Sequence, residues 1–326
     1  MRPLLSVVMP TYNGEEFVAA ALESVREQYR QAIELVIVDD GSSDNTLRIV
    51  GQFANDLSIR LLTPERMGNW VAATNIGLRA ASGEWACFLH QDDLWLPQRL
   101  AHLWPEMETS PATLITHNAL YVGPDGQGLG RWTCPLVPGV VSPEVFVEHL
   151  LVQNFIAIPS PVFRRDAVIQ SGGLKEALWF SADWDLWLRL GAMGPVRFLD
   201  ETLAAFRIHP SSQTAARKLA PKEWEQQLSV VFEEHMKTWL VAGKRRAAVG
   251  RAANASIAVN SALSAASRGE AVNLRETILR LARLGPMEWR RYLRDSRIQE
   301  RVSARLKLKR RKNPGMVPKP VSSSVN

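Results

Sequence analysis

Short apolar runs and stretches of helical periodicity alternate through the first hundred residues. Leu4–Met9 reads as a strand, and Phe17, Val18, Ala21, Leu22 and Val25 follow at helical spacing. Leu35–Val38 is a continuous apolar run ending in Asp39-Asp40-Gly41, the pattern of a strand buried on both faces. Ser42–Thr46 supplies capping residues, Asp44 among them, ahead of Leu47, Ile49, Val50 and Phe53. Ile59–Leu62 predicts a third strand, residues 67–81 a helix and Trp85–Leu89 a fourth strand. This βαβαβαβ order predicts an α/β fold with a parallel sheet and right-handed crossovers. Ligands of such sheets bind beyond the carboxyl ends of the strands. Three of those ends carry Pro10-Thr11-Tyr12-Asn13, Asp39-Asp40-Gly41 and Gln91-Asp92-Asp93.

Beyond residue 98 the pattern changes. Arg99, Leu100, Leu103 and Met107 fit a helix, and Ala112–Val122 a strand. Residues 123–143 are rich in Gly and Pro and read as loop. A helix is expected over 143–151, a strand over Asn154–Phe163 and a helix over Asp183–Leu190. Val196–Leu199 and Leu203–Ile208 look like two short strands. After Thr214 the chain reads as helical and rich in Ala and Arg, and the Pro- and Ser-rich residues 313–326 as disordered. The expected organisation is one domain over 1–214, a basic helical extension over 215–312 and a tail.

Composition narrows the picture little, but charge does more. The net charge of +6 is unevenly spread: residues 268–312 carry 15 Arg/Lys against 5 Asp/Glu, so the preceding body is mildly acidic. From Arg301 to Lys312 there are seven Lys/Arg and no acid, which suits a solvated helix end or an anionic membrane surface. Nucleic acid is a weaker candidate, because no recognised nucleic-acid motif accompanies the charge. Cys87 and Cys134 are expected to be reduced structural thiols. No signal peptide and no transmembrane helix are expected, which points to a cytoplasmic protein with at most peripheral membrane contact.

Asp92 and Asp93 are the most informative residues. A buried strand ending in adjacent carboxylates places two negative charges at the mouth of a sheet, and such a pair is costly without a cation. Oxygen ligands of this kind suit Mg²⁺ or Mn²⁺, which then bridge to the phosphates of a nucleotide. The alternative is an exposed strand end with a helix cap at Asp93.

Ser6–Asn13, Val38–Asp44, Asn75-Ile76-Gly77, Gly83-Glu84 and Phe88–Asp93 together resemble the ordered motifs of family 2 glycosyltransferases of the GT-A fold. Ser181–Arg189 and Phe206–His209 resemble that family's acceptor-side motifs. The resemblance spans about two thirds of the chain. It implies a Rossmann-like, mostly parallel sheet flanked by helices, with a nucleotide-sugar half over 1–110 and an acceptor half over 111–214. It also implies transfer of a sugar, with inversion, from a nucleotide diphosphate sugar to a saccharide or lipid-linked saccharide. Pro10, Thr11, Tyr12, Asn13, Asp40, Gln91 and Asp92 are then the expected nucleotide contacts, with Tyr12 stacking on the base. Asp92, Asp93 and His209 are the expected metal ligands, and Arg207 a lesser phosphate candidate. Asp183 matches the general base, although an Asp at a helix start is also a common N-cap, and Asp185 is the second choice. Trp179 and Trp184 could form a platform for a sugar ring or pack in the core; Trp187 is expected in the core. The chain departs from the family pattern at His90 and Ala182, where carboxylates are usual, and at Thr74, where Arg is common.

Other readings are weaker. A nucleotidyltransferase needs a basic, Gly-rich loop after the first strand, whereas Pro10–Gly14 has one Gly and the next cation is Arg26. A dinucleotide oxidoreductase lacks its Gly-x-Gly-x-x-Gly turn. A non-catalytic nucleotide-sugar binding protein is compatible with His90 and Ala182.

Overall fold

Strand β1 (Leu5–Thr11) is the hub of the first half of a ten-stranded mixed sheet. The structure is a computed structural model and describes residues 3–29, 32–212, 221–239, 241–267, 270, 272 and 274–312. The chain continues through α1 (Val18–Arg26), β2 (Ile33–Asp39), α2 (Thr46–Gln52), β3 (Ile59–Leu62), α3 (Trp70–Ala80) and β4 (Trp85–Phe88). β3, β2, β1 and β4 lie side by side and parallel, as the alternating pattern predicts. Side chains alternate across these strands. Val8, Val36, Val38 and Phe88 enter one core, while Val7, Met9, Leu35, Ile37 and Trp85 enter the other.

The second half runs β5 (Leu94–Trp95), α4 (Arg99–Thr109), β6 (Leu114–Val122), β7 (Gly128–Trp132), β8 (Gly139–Val141), α5 (Pro143–Val152), β9 (Val162–Arg164), α6 (Arg165–Gln170), α7 (Ala182–Met193) and β10 (Val196–Arg207). β9 is antiparallel to both β4 and β6 and joins the two halves, giving the order β3-β2-β1-β4-β9-β6-β10-β5. Three sequence expectations change here. The Gly-rich segment 123–143 holds β7 and β8, which add to β6 and β10 as antiparallel edge strands. Of Asn154–Phe163 only the end pairs in the sheet. The two short strands expected over 196–208 are one twelve-residue strand, whose register against β6 shifts between Leu199 and Ala204.

Five helices follow among the described residues: α8 (Pro221–Thr238), α9 (Gly243–Ser267), α10 (Leu274–Ala282), α11 (Pro286–Ser296) and α12 (Ile298–Lys312). Val231, Val249, Ala253 and Tyr292 from this group share one apolar core with Phe146, Leu150, Trp184 and Trp187. Trp187 is fully buried between Phe88 and Phe163, as its spacing predicts. Each large apolar side chain buried this way contributes about 1.5–3 kcal/mol. The tail over 313–326 and the boundary at 214/215 lie outside the described residues.

Gly77 lets α3 approach the sheet. A Cβ there would sit 2.5 Å from Val8 Cγ1 and 3.2 Å from Val38 Cγ2. Gly77→Ala gains about 1 kcal/mol of helix propensity but overpacks the contact, so a net loss of about 1–2 kcal/mol is expected. Urea unfolding measures it, and an unchanged midpoint would refute the close-packing account.

Candidate active site

β4 ends at Phe88, and the chain turns through His90–Asp93 into β5, with the Asp93 N–H donating to the His90 carbonyl at 3.1 Å. Because β5 pairs with the far end of β10, this turn is pressed against residues 205–209. The Arg207 N–H donates to Asp93 Oδ1 at 3.0 Å, and Arg207 Nε donates to the Asp92 carbonyl at 2.8 Å. Arg207 Nη1 donates to the carbonyls of Gly123 and Pro124, so this buried guanidinium knits three loops together. That placement makes Arg207, a lesser phosphate candidate from sequence, a scaffold for the acidic turn. Phe17 lies beneath, with its ring 4.9 Å from the Arg207 guanidinium and 4.5 Å from the His209 ring.

The two carboxylates sit in different surroundings. His209 Nε2 donates to Asp92 Oδ2 at 2.8 Å, while His209 Nδ1 faces Ser211 Oγ. Burial pushes the Asp92 carboxyl up, but the His209 hydrogen bond and the neighbouring imidazoles outweigh it and hold Asp92 below the usual carboxylate range. Asp93 is pushed well above that range by burial and by Asp92, with Arg207 opposing. Its Oδ2 is buried and has no hydrogen-bond partner, and the same is true of His90 Nε2. Ligand atoms of His90, Asp92 and Asp93 all lie within 4.8 Å of one another. An orphaned carboxylate oxygen beside an orphaned imidazole nitrogen is a donor set that fits Mn²⁺ or Mg²⁺. The expected trio was Asp92, Asp93 and His209. The structure instead groups His90 with the acids, and His209 Nε2 is engaged in holding Asp92.

The first-strand end is organised by hydrogen bonds among the expected nucleotide contacts. Pro10 is buried within β1, and its missing N–H would point to the side where β4 has already turned away. Thr11 Oγ1 and Ser42 Oγ both donate to Asp39 Oδ1, so Asp39 fixes the turn after β2. Gln91 pairs its amide with the Tyr12 backbone, accepting from the N–H at 2.9 Å and donating to the carbonyl at 3.0 Å. Asn13, at φ 44°, accepts from the Ser43 N–H. Asp40 accepts from the N–H groups of Met67 and Gly68 at 2.6 and 2.8 Å. Asp40 thereby fastens the loop that carries Arg66, whose guanidinium lies 4.5 Å over the Tyr12 ring and donates to its hydroxyl at 2.6 Å. Arg66 is a cation that sequence reasoning passed over, because it lies in a loop without periodicity. Asp44 accepts from the Thr46 and Glu15 N–H groups one residue ahead of the N-cap, Asn45.

Asp183 stands in the first turn of α7. Asn154 Nδ2 donates to its Oδ2 at 2.9 Å. Burial raises its pKa to about 6, opposed by hydrogen bonds from the Trp184 N–H and Asn154. Asn154 was visible only as a polar residue inside an apolar run. Asp185, two residues on, is fully buried and holds Lys175, Arg189 and His235. Despite burial, those partners lower its pKa to about 2. Asp185 is therefore an ion-pair hub joining α7 to α8. Trp184, 3% exposed, donates to the Leu150 carbonyl and packs in the core. Trp179 is also buried, against Phe180 and Trp224, so neither offers an open platform. Trp70 at the start of α3 links the two sides. Its ring meets His90 edge-on at 5.0 Å, and its indole N–H donates to the Trp179 carbonyl at 2.7 Å.

Comparison with known proteins follows this geometry. Residues 6–134 match the family model "Glycosyl transferase family 2". An uncharacterized glycosyltransferase of Haemophilus influenzae is 27% identical over 57% of this chain, which spans 62% of that relative's length. The Escherichia coli UDP-Glc:alpha-D-GlcNAc-diphosphoundecaprenol beta-1,3-glucosyltransferase WfgD is 41% identical over 30% of this chain and 38% of its own. Among solved structures, S. aureus TarS 1-349 with UDP-GlcNAc superposes with a TM-score of 0.64 at 16% identity, covering 96% of this chain and 92% of TarS. The mannosyltransferase PcManGT of Pyrobaculum calidifontis, solved with GDP-Man and Mn2+, gives 0.54 at 18% identity, covering 96% and 88%.

Replacing Asp93 by Asn removes a buried charge next to Asp92. Without metal, Asp93→Asn should unfold at the wild-type temperature or above it. At a hundredfold excess of Mn²⁺ over its Kd, the wild type should gain about 2.7 kcal/mol and the variant far less. Equal shifts in a thermal melt would remove Asp93 from the metal site.

Proposed function

We propose that this chain, whose residues 6–134 match the family 2 glycosyltransferase model and whose fold resembles that of TarS, is an inverting transferase using a UDP- or dTDP-linked sugar. The proposed acceptor is a saccharide or lipid-linked saccharide of a surface polysaccharide. The observation that carries the reading is Asp183, half-buried at the start of α7 and hydrogen-bonded by Asn154, with its pKa raised by burial to about 6 against that hydrogen bond. A carboxylate poised there is ionised at neutral pH yet basic enough to accept a hydroxyl proton. As the acceptor oxygen bonds to the anomeric carbon, its proton passes to Asp183, and the bond from that carbon to the diphosphate breaks.

On the donor side, Tyr12, Asn13 and Asp40 border the nucleotide, with Pro10, Thr11 and Gln91 shaping their backbone. Asp92 and Asp93, with His90 beside them, would hold a divalent cation, which supplies charge stabilisation to the departing nucleoside diphosphate. Arg66 adds a positive charge at the mouth of the same cleft. The names of the relatives support the substrate class: WfgD acts on a diphosphoundecaprenol-linked saccharide, and TarS and PcManGT were solved with nucleotide sugars. A lipid-linked acceptor would bring the protein to the cytoplasmic face of a membrane, through its basic C-terminal region. No described helix is long and apolar enough to cross a bilayer.

Two measurements test the reading. A screen of UDP- and dTDP-sugars with Mn²⁺ should release nucleoside diphosphate for at least one donor. Calorimetric nucleotide binding with no turnover of any donor and acceptor would favour a non-catalytic binding protein, the reading compatible with His90 and Ala182. Asp183→Asn should lower kcat by about 10²–10⁴ while leaving the melting temperature unchanged or higher, since it removes a carboxylate that burial disfavours. The wild-type kcat should fall as pH drops through about 6, because protonated Asp183 is no base. A flat profile across that range would exclude Asp183.

A further inference from the structure

Helix α10 is amphipathic in sequence yet buries none of its residues. Leu274 is 62% exposed, Ile278 60% and Leu279 48%, while Leu281, one turn beyond Ile278 on the same face, packs against the core. Beyond the turn at 283–285, Met287 is 84% exposed, and Leu293 of α11 is 46% exposed. The inner side of α11 is satisfied by buried Tyr292, Asp295 and Ser296, so these apolar side chains do not belong to its packing. Such a run of uncovered Leu, Ile and Met costs solubility unless something covers it.

The charges around it say what that is. Exposed Arg275, Arg283 and Arg290 are interleaved with the apolar positions. The nearby acids are occupied: Glu276 pairs with Arg280, and Glu288 with Arg251. The remaining field is positive, and α12 extends it with exposed Arg305, Lys307, Lys309, Arg310 and Arg311. A second copy of the chain meeting this face would bring arginines against arginines. An anionic bilayer offers both an apolar layer for the Leu, Ile and Met side chains and phosphates for the arginines.

We propose that α10 and α11 form an interfacial membrane anchor, lying in the headgroup layer of an anionic bilayer with Ile278 and Met287 as its apolar wedges. The proposal deepens the lipid-linked acceptor reading and rests on it for its purpose, but its test does not depend on transfer. It also moves the principal contact from the basic end at 301–312 to residues 274–293, with α12 adding long-range attraction.

The experiment is co-sedimentation of the full chain with phosphatidylcholine vesicles, with and without phosphatidylglycerol. The protein should pellet with the anionic vesicles and remain in solution with the neutral ones. The Ile278→Asp/Met287→Asp double variant should bind anionic vesicles about tenfold more weakly or worse. Both positions are exposed, so its thermal melt should match the wild type, and nucleoside diphosphate release with a water-soluble acceptor should persist. The proposal is overturned if the wild type stays in solution with anionic vesicles. It is equally overturned if the double variant binds like the wild type, or if that variant converts a dimer into a monomer in sedimentation velocity without lipid. Vesicle binding without donor turnover would count against the transferase reading and leave the anchor standing.

Discussion

Two adjacent carboxylates at the end of a buried strand are the constraint around which the sheet is built. Asp93 is 1% exposed, and like charges at that depth repel strongly. The second half of the fold meets this by carrying donors to the turn. β10 is long because it must reach from the far end of the sheet, where it pairs with β8, to the mouth beside Asp92. Its register shift against β6 lets it do so without breaking its pairing. It ends in Arg207, whose backbone and guanidinium both serve the acidic turn, and His209 follows two residues later on Asp92. Those donors satisfy three of the turn's oxygens and leave Asp93 Oδ2 free of partners, where a cation would add the most.

Asp183 and Asp185 show how environment divides labour between identical side chains two residues apart. Both lie in the first turn of α7, where the helix dipole favours a negative charge on either. Asp185 points into a cage of Lys175, Arg189 and His235, which holds it ionised at about pKa 2 and uses all its capacity for structure. Asp183 receives only neutral donors, so burial dominates and its proton is held to about pKa 6. An ion-paired carboxylate is a poor base because its negative charge is already spent on cations. Asp185 therefore anchors α7 and α8 around the loop at 175, and that rigidity fixes the position of Asp183.

The first half of the fold was legible because its signals are local. Short apolar runs predicted β1 to β4, and the polar residues that follow β1, β2 and β4 placed Tyr12, Asp40 and Asp92 at the carboxyl end of the sheet. The parts that escaped depend on distant partners. β7 and β8 form in a Gly- and Pro-rich segment only because β6 and β10 offer them an edge. Asp200 and Glu201 fell between two expected strands, but pairing with β6 resumes beyond them after a register shift. Trp179 and Trp184 beside Asp183 resembled a sugar platform, yet they are buried in a core shared with the C-terminal helices. Arg66 and Asn154 lie in segments without periodicity and acquire meaning only through the side chains they meet.

His90 follows from the same charge balance. A third carboxylate at that position would raise the formal charge of the cluster from −2 to −3 in a site largely shut off from water. Burial holds the His90 imidazole below its usual pKa, against the pull of Asp92, so it is neutral near pH 7 and keeps a lone pair. Trp70 packs edge-on against the ring and restricts its rotation. Two carboxylates with a neutral nitrogen donor would match the +2 of a divalent ion and would leave no excess negative charge to oppose an incoming diphosphate. With Thr74 uncharged on α3, a transferase of the proposed kind would rely on this low negative charge, and on Arg66 beside Tyr12, to admit an anionic donor.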